Sequence, residues 1–181
     1  MDLTVFKIRL AKLKEKLRDN NIETAIITDE DNVYYLCGYY DYLHMDFGRP
    51  TLLIISVDRE ILLITPAIDL NTAQEAACVD RISAWNDGMG EEWREELPQI
   101  LQKSGRIAIE PDQMPPIVKR YIDQEVPSNQ IANVTPILST MRMVKSVEEL
   151  KIARDAGKVA NAMMLAGREA IGDGVAEYEV A

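Results

Sequence analysis

The chain has 181 residues, of which 47% are hydrophobic and 28% charged, and its formal net charge is −10. This length suffices for one buried core with at most a small appendage. The acidic balance and the absence of clustered Lys and Arg disfavour a nucleic acid partner. No apolar run reaches the roughly 18 residues of a membrane span, and the N-terminus lacks the features of a secretory signal. We therefore expect a cytoplasmic protein without a membrane partner.

The two cysteines, Cys37 and Cys78, both lie in apolar surroundings. A disulfide between them is possible, but two buried free thiols are the better interpretation for a cytosolic protein. One histidine and two scattered cysteines give no ligand pair at zinc spacing. We therefore predict that this chain holds no metal and no cofactor.

The first forty residues predict a helix, a strand and a second, short helix. One apolar stripe marks the opening helix and consists of Phe6, Leu10, Leu13 and Leu17. The wholly apolar segment 24–28 predicts a strand that is covered on both faces. Asp29 or Asp31 can cap the short helix that follows, and Gly38 ends it.

The next segments predict further strands alternating with helices. Strands are expected at 51–56 and 60–65, joined by a tight hairpin at 57–59. A helix is expected from Pro66 to about Ala77, and another strand at 78–85.

The segment 90–105 has a helical pattern that Pro98 kinks or splits. A strand at 106–110, a helix at 115–126 and a short extended piece at 133–138 follow. Strands that alternate with helices in this way predict an α/β fold, with helices flanking a central sheet of mixed direction.

The last forty residues predict one long helix with an uncovered face. A capping box of Ser146 and Glu149 opens this helix, which runs to about Ile171. Its stripe of small and Met residues consists of Leu150, Ala153, Ala156, Ala160 and Met164. We expect the stripe to drive self-association when it has no partner. Residues 175–181 have the composition of the first turns of another helix, so we interpret the chain as a fragment of a longer protein.

Three segments together resemble the creatinase, prolidase and Xaa-Pro aminopeptidase family. They are the opening helix followed by "NNIETAIITDEDNVYYLCGY", then "FGRPTLLIIS" with "ILLITPAIDLNTAQ", and finally "MRMVKSVEELKIARDAGKVANAMM". The second segment is similar to creatinase in particular. The resemblance implies an N-terminal α/β domain with a ribonuclease H-like layout at 1–140. It also implies an interdomain linker and the first helix of a truncated catalytic domain at 141–181.

The resemblance also implies that the chemistry resides elsewhere. In the family, the catalytic domain supplies two Asp, one His and two Glu that hold two divalent ions (Mn, Co or Zn), or in creatinase a metal-free site around a His. Those residues would lie beyond position 181, so no catalytic residue is assigned to this chain. The sequence agrees, because its one histidine cannot build a two-metal site of this kind.

The segment "YYDYLHMDFGRP" gathers the residues that the resemblance marks for substrate contact. In the family's dimers, a loop at this position completes the substrate pocket of the partner subunit. The match to creatinase implies that Arg49 holds a substrate carboxylate and that Phe47 forms an apolar wall. Tyr42 and His44 are secondary lining residues. The plainer alternatives are that Arg49 pairs with Asp46 or covers a carbonyl, and that Phe47 is a core residue.

Three functions are compatible with the sequence. The leading one is the non-catalytic N-terminal domain of a homodimeric creatinase- or Xaa-Pro dipeptidase-like hydrolase. Such a domain would serve dimerisation and complete the partner's pocket for a dipeptide or another small molecule. The second is a stand-alone protein-interaction module of the same fold. The third is an independent α/β enzyme with its own ligand pocket. A nucleophilic pair of His44 with Cys37 can be written, but a buried thiol and a loop histidine are the better interpretation of these two residues.

Overall fold

The structure is a computed structural model that describes residues 3–40, 50–86 and 92–180. The chain divides into two compact units, Met1–Ser139 and Thr140–Ala181. Its described helices are α1 Leu3–Asp19, α2 Glu30–Cys37, α3 Leu70–Ala76, α4 Leu97–Gln102, α5 Pro116–Glu125, α6 Thr135–Met143, α7 Val147–Ala170 and α8 Glu177–Val180. Its described strands are β1 Thr24–Ile27, β2 Leu52–Ser56, β3 Ile61–Pro66, β4 Arg81–Trp85, β5 Ile107–Ile109 and β6 Ile131–Asn133.

The described strands form one sheet of six strands in the order β4-β3-β2-β1-β5-β6. The β2–β3 hairpin is antiparallel, and β2 also pairs antiparallel with β1. The pairs β1–β5, β3–β4 and β5–β6 are parallel. The predicted α/β fold with a sheet of mixed direction is therefore confirmed.

The core lies on both faces of this sheet, because its central strands β1, β2, β3 and β5 are wholly buried. On one face, apolar residues of α4 and α5, such as Leu97 and Val118, join a cluster with Ile54 of β2. The other face carries residues such as Leu53, which is also fully buried. Helix α1 contacts β2 and packs against α2.

Near the prolines, one predicted helix boundary is wrong and one predicted interruption is confirmed. Pro66 does not start a helix, because it pairs with Trp85 and is the last residue of β3; a 3-10 helix at Ala67–Asp69 precedes α3. The helical pattern over 90–105 is split, as predicted: in its described part a 3-10 helix at Glu92–Arg94 precedes α4, which begins at Leu97. Pro98 lies in the first turn of α4, where its missing N–H costs no helical bond.

Two predicted extended segments are also wrong in part. The strand expected at 78–85 begins only at Arg81. The piece expected to be extended at 133–138 is mostly helical, since β6 ends at Asn133 and α6 follows directly. The Asn133 side chain accepts a hydrogen bond from the Thr135 N–H at 2.8 Å, which gives the first turn of α6 an acceptor. Pro136 stands in that turn, where proline is tolerated.

In the second unit, α7 is the dominant element and has no buried residue. The predicted capping box is confirmed. Ser146 Oγ accepts from the Glu149 N–H at 3.2 Å, and Glu149 Oε2 accepts from the Ser146 N–H at 2.8 Å. Within the described ranges, none of the helices combines the length and apolar character that crossing a membrane requires.

Candidate functional site

The four residues that the sequence marks for substrate contact lie outside the described residues. Tyr42, His44, Phe47 and Arg49 all belong to the segment 41–49, so their contacts stay predictions. The structure does describe both flanks of this segment. We call residues 38–40 the incoming root and residues 50–51 the outgoing root of the 41–49 loop.

The incoming root is fixed by a tight turn and a buried tyrosine. Gly38 ends α2 with φ of 83°, and its N–H donates to the Tyr34 carbonyl at 2.8 Å. A Cβ at this position would approach the Phe6 ring to 2.7 Å, so both the conformation and the close packing require glycine. Tyr39 is 1% exposed, and its hydroxyl hydrogen-bonds Thr65 Oγ1 at 3.0 Å.

The outgoing root is held by side chains of β3 and β4. The Trp85 indole N–H donates to the Pro50 carbonyl at 3.0 Å. The buried hydroxyl of Thr51 lies 3.3 Å from Thr65 Oγ1. Thr65 of β3 therefore contacts Tyr39 and Thr51 at once, and it ties the two roots together. The two described flanks of the segment 41–49 are therefore held at one place beside β3 and β4.

An exposed aromatic pair stands beside the incoming root. The rings of Tyr34 and Tyr40 meet edge to face with centroids 6.1 Å apart. Both remain substantially exposed, at 42% and 48%. The Glu30 carboxylate raises the pKa of the Tyr40 phenol, which stays protonated and able to donate a hydrogen bond. This pair extends the aromatic character of the loop onto described surface.

A buried carboxylate, Glu110, fixes the other end of α2. Glu110 Oε2 accepts from the backbone N–H groups of Thr28 at 2.7 Å and Asp29 at 2.9 Å. Its Oε1 accepts from the Asn32 side chain at 2.5 Å. These donors lie around the start of α2. A negatively charged carboxylate there also interacts favourably with the positive end of the helix dipole. Asp29 itself caps the helix by accepting from the Asn32 N–H, as one of the two predicted caps.

Sequence reasoning missed Glu110, although a signal was present. Glu110 directly follows β5 and Thr28 directly follows β1, and these two strands are parallel neighbours. An acid placed straight after a wholly apolar strand therefore faces the start of α2. Burial raises the pKa of Glu110, and its backbone and amide donors oppose that shift. At 1% exposure it cannot touch a substrate, so it acts as a positioning residue for α2.

The described residues do not offer a metal centre. Within 3–40, 50–86 and 92–180, no group of three His, Cys, Asp or Glu side chains could hold a metal ion. The donor set of this part of the chain does not fit the pair of divalent ions that the family resemblance implies for the complete protein.

The described residues form a helix-flanked sheet of mixed direction, an α/β architecture in which Thr65 and Trp85 hold the flanks of the segment 41–49. Residues 9–144 match the Creatinase/Prolidase N-terminal domain family. Because the match spans most of the chain, the protein belongs to this family, as the sequence motifs predicted.

Named relatives extend the match along nearly the whole chain. The chain is 26% identical over 177 residues to a creatinase of Bacillus sp. (strain B-0618), covering 96% of this chain and 42% of that protein. It is 25% identical over 178 residues to an Xaa-Pro dipeptidase of Lactobacillus helveticus, covering 96% and 47%. The chain therefore spans about half the length of the curated relatives that it matches.

The fold has a close counterpart among solved structures. The prolidase of Pyrococcus horikoshii OT3 superposes with a TM-score of 0.77 at 22% identity, over 96% of this chain and 46% of that one. At this identity the likeness establishes the fold and nothing about the substrate.

Proposed function

We propose that this chain is the non-catalytic N-terminal domain of a homodimeric hydrolase that cleaves C–N bonds. The substrate class is an Xaa-Pro peptide or a small amidino or amide compound with a carboxylate. The domain serves dimerisation, and its 41–49 loop completes the substrate pocket of the partner subunit. The observation that carries the proposal is the attachment of both roots to Thr65, with Pro50 also held by Trp85, in a family whose named members include creatinase and Xaa-Pro dipeptidases.

Fixed roots suit a loop that recognises a small molecule. A loop whose two ends are already ordered loses less conformational entropy when it closes on a ligand. In the proposal, the guanidinium of Arg49 binds a substrate carboxylate through two parallel hydrogen bonds. Phe47 excludes water beside that pair, which strengthens it. Tyr42 and His44 line the same pocket.

The catalytic groups belong to another part of the protein in this proposal. Two divalent ions (Mn, Co or Zn), or a metal-free site if the protein is creatinase-like, would be held by residues beyond position 181. The uncovered apolar face of α7 supports an adjoining region of this kind. Leu150 and Met164 of its apolar stripe are 42% and 76% exposed, and such a stripe is usually covered by a packed neighbour.

Substitution of Arg49 tests the substrate contact. In the complete protein that carries this chain, Arg49→Ala should lower kcat/KM for a carboxylate-bearing substrate by roughly 10- to 150-fold, because about 1.5–3 kcal/mol of charge-assisted binding is lost. Arg120→Ala is the matched control, since Arg120 is an exposed arginine of α5. A loss below about threefold for Arg49→Ala would refute the contact.

A mixing experiment tests whether the loop acts across the dimer. One variant carries Arg49→Ala, and the other carries an inactivating change in the catalytic region. If the loop of one subunit serves the other's pocket, mixed dimers contain one intact site and regain activity. If the loop serves its own subunit, every site in the mixed dimer is defective and activity stays lost.

The exposed face of α7 also favours a second candidate, a stand-alone interaction module of the same fold. A module of this kind would show no turnover of Xaa-Pro peptides or amidino compounds in any complete form. Substitutions in the 41–49 loop would then leave the binding of a partner unchanged, whereas charged residues introduced on the apolar face of α7 would abolish that binding. Activity that depends on Arg49 excludes this candidate.

A further inference from the structure

We propose that Cys37 and Cys78 form a redox-modification site, in which a low-molecular-weight disulfide such as oxidised glutathione converts the two thiols reversibly into an intramolecular disulfide. Both thiols are free in the structure, as expected, but the expected burial holds only for Cys37, because Cys78 is half-buried. Cys37 is the last residue of α2, and Cys78 lies in the connection between α3 and β4. The inference does not depend on the hydrolase assignment.

The backbone already holds the two cysteines at disulfide spacing. The Cys78 N–H donates to the Cys37 carbonyl at 2.7 Å. A Cα lies about 2.4 Å from its own carbonyl oxygen and about 1.5 Å from its own nitrogen, so the two Cα atoms are at most roughly 6.6 Å apart. Native disulfides join Cα atoms about 4.4–6.8 Å apart. The Cα spacing of the two cysteines is therefore compatible with a disulfide.

The two thiols differ in solvent exposure, and this difference decides which of them reacts first with the reagent. Cys37 is fully buried, and burial raises the pKa of its thiol to about 12, although a hydrogen bond with the Tyr39 backbone opposes the shift. Cys78 is half-buried, and its sulfur lies 3.9 Å from the Leu3 carbonyl. Because the thiolate is the attacking species and Cys37 is inaccessible, Cys78 reacts first.

A surface groove gives a glutathione-sized reagent a route to Cys78. This groove has a volume of about 580 Å³, and its lining includes Lys7, Lys14, Cys78 and Asp80 together with apolar residues of α1. The two ammonium groups suit the carboxylates of glutathione, which is an anionic peptide at neutral pH. The groove thus combines a thiol, apolar walls and positive charge.

The chemistry balances without any other reactant. The Cys78 thiolate attacks one sulfur of oxidised glutathione, which forms a mixed disulfide and releases one glutathione thiolate. The Cys37 thiolate then attacks the Cys78 sulfur, and the second glutathione leaves. The protein loses two electrons and two protons, and one disulfide of the reagent becomes two thiols. The new bond ties the end of α2, next to the incoming root of the 41–49 loop, to the α3–β4 connection.

The test uses the whole chain and the two single-cysteine variants. Each protein is equilibrated with oxidised and reduced glutathione, trapped by alkylation and weighed intact. Wild type should lose two hydrogens and accept no alkylating groups, and dithiothreitol should restore both thiols. Cys37→Ala should stop with one glutathione on Cys78, and Cys78→Ser should stay unmodified because its remaining thiol is buried.

Two further measurements on the wild-type protein test the same proposal. The disulfide closes a loop of about 42 residues, so oxidised wild type should melt at least roughly 5 °C above reduced wild type. Release of glutathione from wild-type Cys78 should also accelerate about tenfold per pH unit from pH 7 to 9, because Cys37 is the attacking thiol. Wild type that stops at the mixed disulfide, keeps both thiols under oxidising conditions or links two chains overturns the proposal. If Cys37→Ala does not fold, wild type against Cys78→Ser still decides.

Discussion

Helices α1 and α7 follow the same amphipathic pattern and have opposite environments. Helix α1 buries its whole stripe, and Leu13 and Leu17 are 0% exposed. Helix α7 is longer, with 24 residues, and buries none of them. The comparison teaches that amphipathic spacing predicts a helix and its apolar face, but not whether the surface that covers this face lies in the same segment of chain.

The two helices are also stabilised differently. Helix α1 depends on tertiary burial, and even its Arg9 is drawn inward, where the guanidinium donates to the Tyr35 carbonyl at 2.7 Å and stacks over the Tyr35 ring. Helix α7 has local devices, namely its capping box and ion pairs such as Lys158 with Asp155 at 2.7 Å. An ion pair of this kind contributes a few tenths of a kcal/mol and a helix cap about 1 kcal/mol, whereas a buried leucine contributes about 2–5 kcal/mol.

The largest expected effect comes from truncating one leucine in each helix. Leu13→Ala should lower the free energy of unfolding by about 2–5 kcal/mol, because it leaves a cavity in the core. Leu150→Ala should change it by less than about 1 kcal/mol, because Leu150 is 42% exposed. Urea unfolding followed by tryptophan fluorescence measures both. Equal losses would mean that α7 is as buried as α1, and the contrast would disappear.

Much of the fold could be predicted because its signals are local. The stripe of α1, the glycine that ends α2 and the capping box of α7 each depend on residues within a turn or two of one another. Errors arose where pairing between distant strands decided the boundary, as when Pro66 was drawn into β3 opposite Trp85. Pro98 and Pro136 each lie in the first turn of a helix, α4 and α6 respectively, and neither interrupts the helix that contains it.

The candidate site could be predicted less well, because its supports are distant in sequence. Motifs pointed to the 41–49 loop, but nothing local connects Thr65 with Tyr39 and Thr51, or Trp85 with Pro50. Glu110 likewise acts on Thr28, which lies 82 residues earlier in the chain. Contacts of this range follow from strand order, which the sequence does not reveal before the sheet is known.

The buried carboxylate of Glu110 at the start of α2 should contribute more to stability than the exposed capping box of α7. Glu110→Ala should lower the free energy of unfolding by about 2–3 kcal/mol, because it leaves buried N–H groups of Thr28 and Asp29 without an acceptor. Glu110→Gln keeps one acceptor oxygen and should cost less. Urea midpoints at constant pH measure both. A Glu110→Ala loss below about 0.5 kcal/mol would show that α2 does not depend on this carboxylate.

The same pair of proteins predicts a pH dependence with a definite sign. The pKa of Glu110 is raised in the folded state, so the folded protein binds the proton more tightly than the unfolded chain does. The stability advantage of wild type over Glu110→Gln should be complete below about pH 4.3, the ordinary pKa of Glu, and should be lost as pH rises through the raised folded value. An advantage that grows with pH would mean that the hydrogen bonds lower this pKa instead.

The third prediction concerns the uncovered face of α7. If that face is available in the isolated chain, the chain should self-associate, and Met164→Lys should weaken association by about tenfold or more through loss of one buried apolar side chain. Lys151→Glu changes charge on the same helix outside the stripe and is the control. Light scattering over a wide concentration range measures the effect, and a wild-type monomer at all concentrations would contradict it.

The smallest expected effect comes from the capping box. Ser146→Ala removes the acceptor for the Glu149 N–H and should destabilise the start of α7 by about 1 kcal/mol, since the helix has no buried residue to hold that turn. Ser146→Asp preserves an acceptor and should keep the amides of the first turns of α7 protected from hydrogen exchange. Amide hydrogen exchange is the suitable measurement, because the loss should appear in the first turns of α7 and leave the sheet unchanged. Exchange that stays slow throughout α7 in Ser146→Ala would mean that packing, rather than capping, holds this helix.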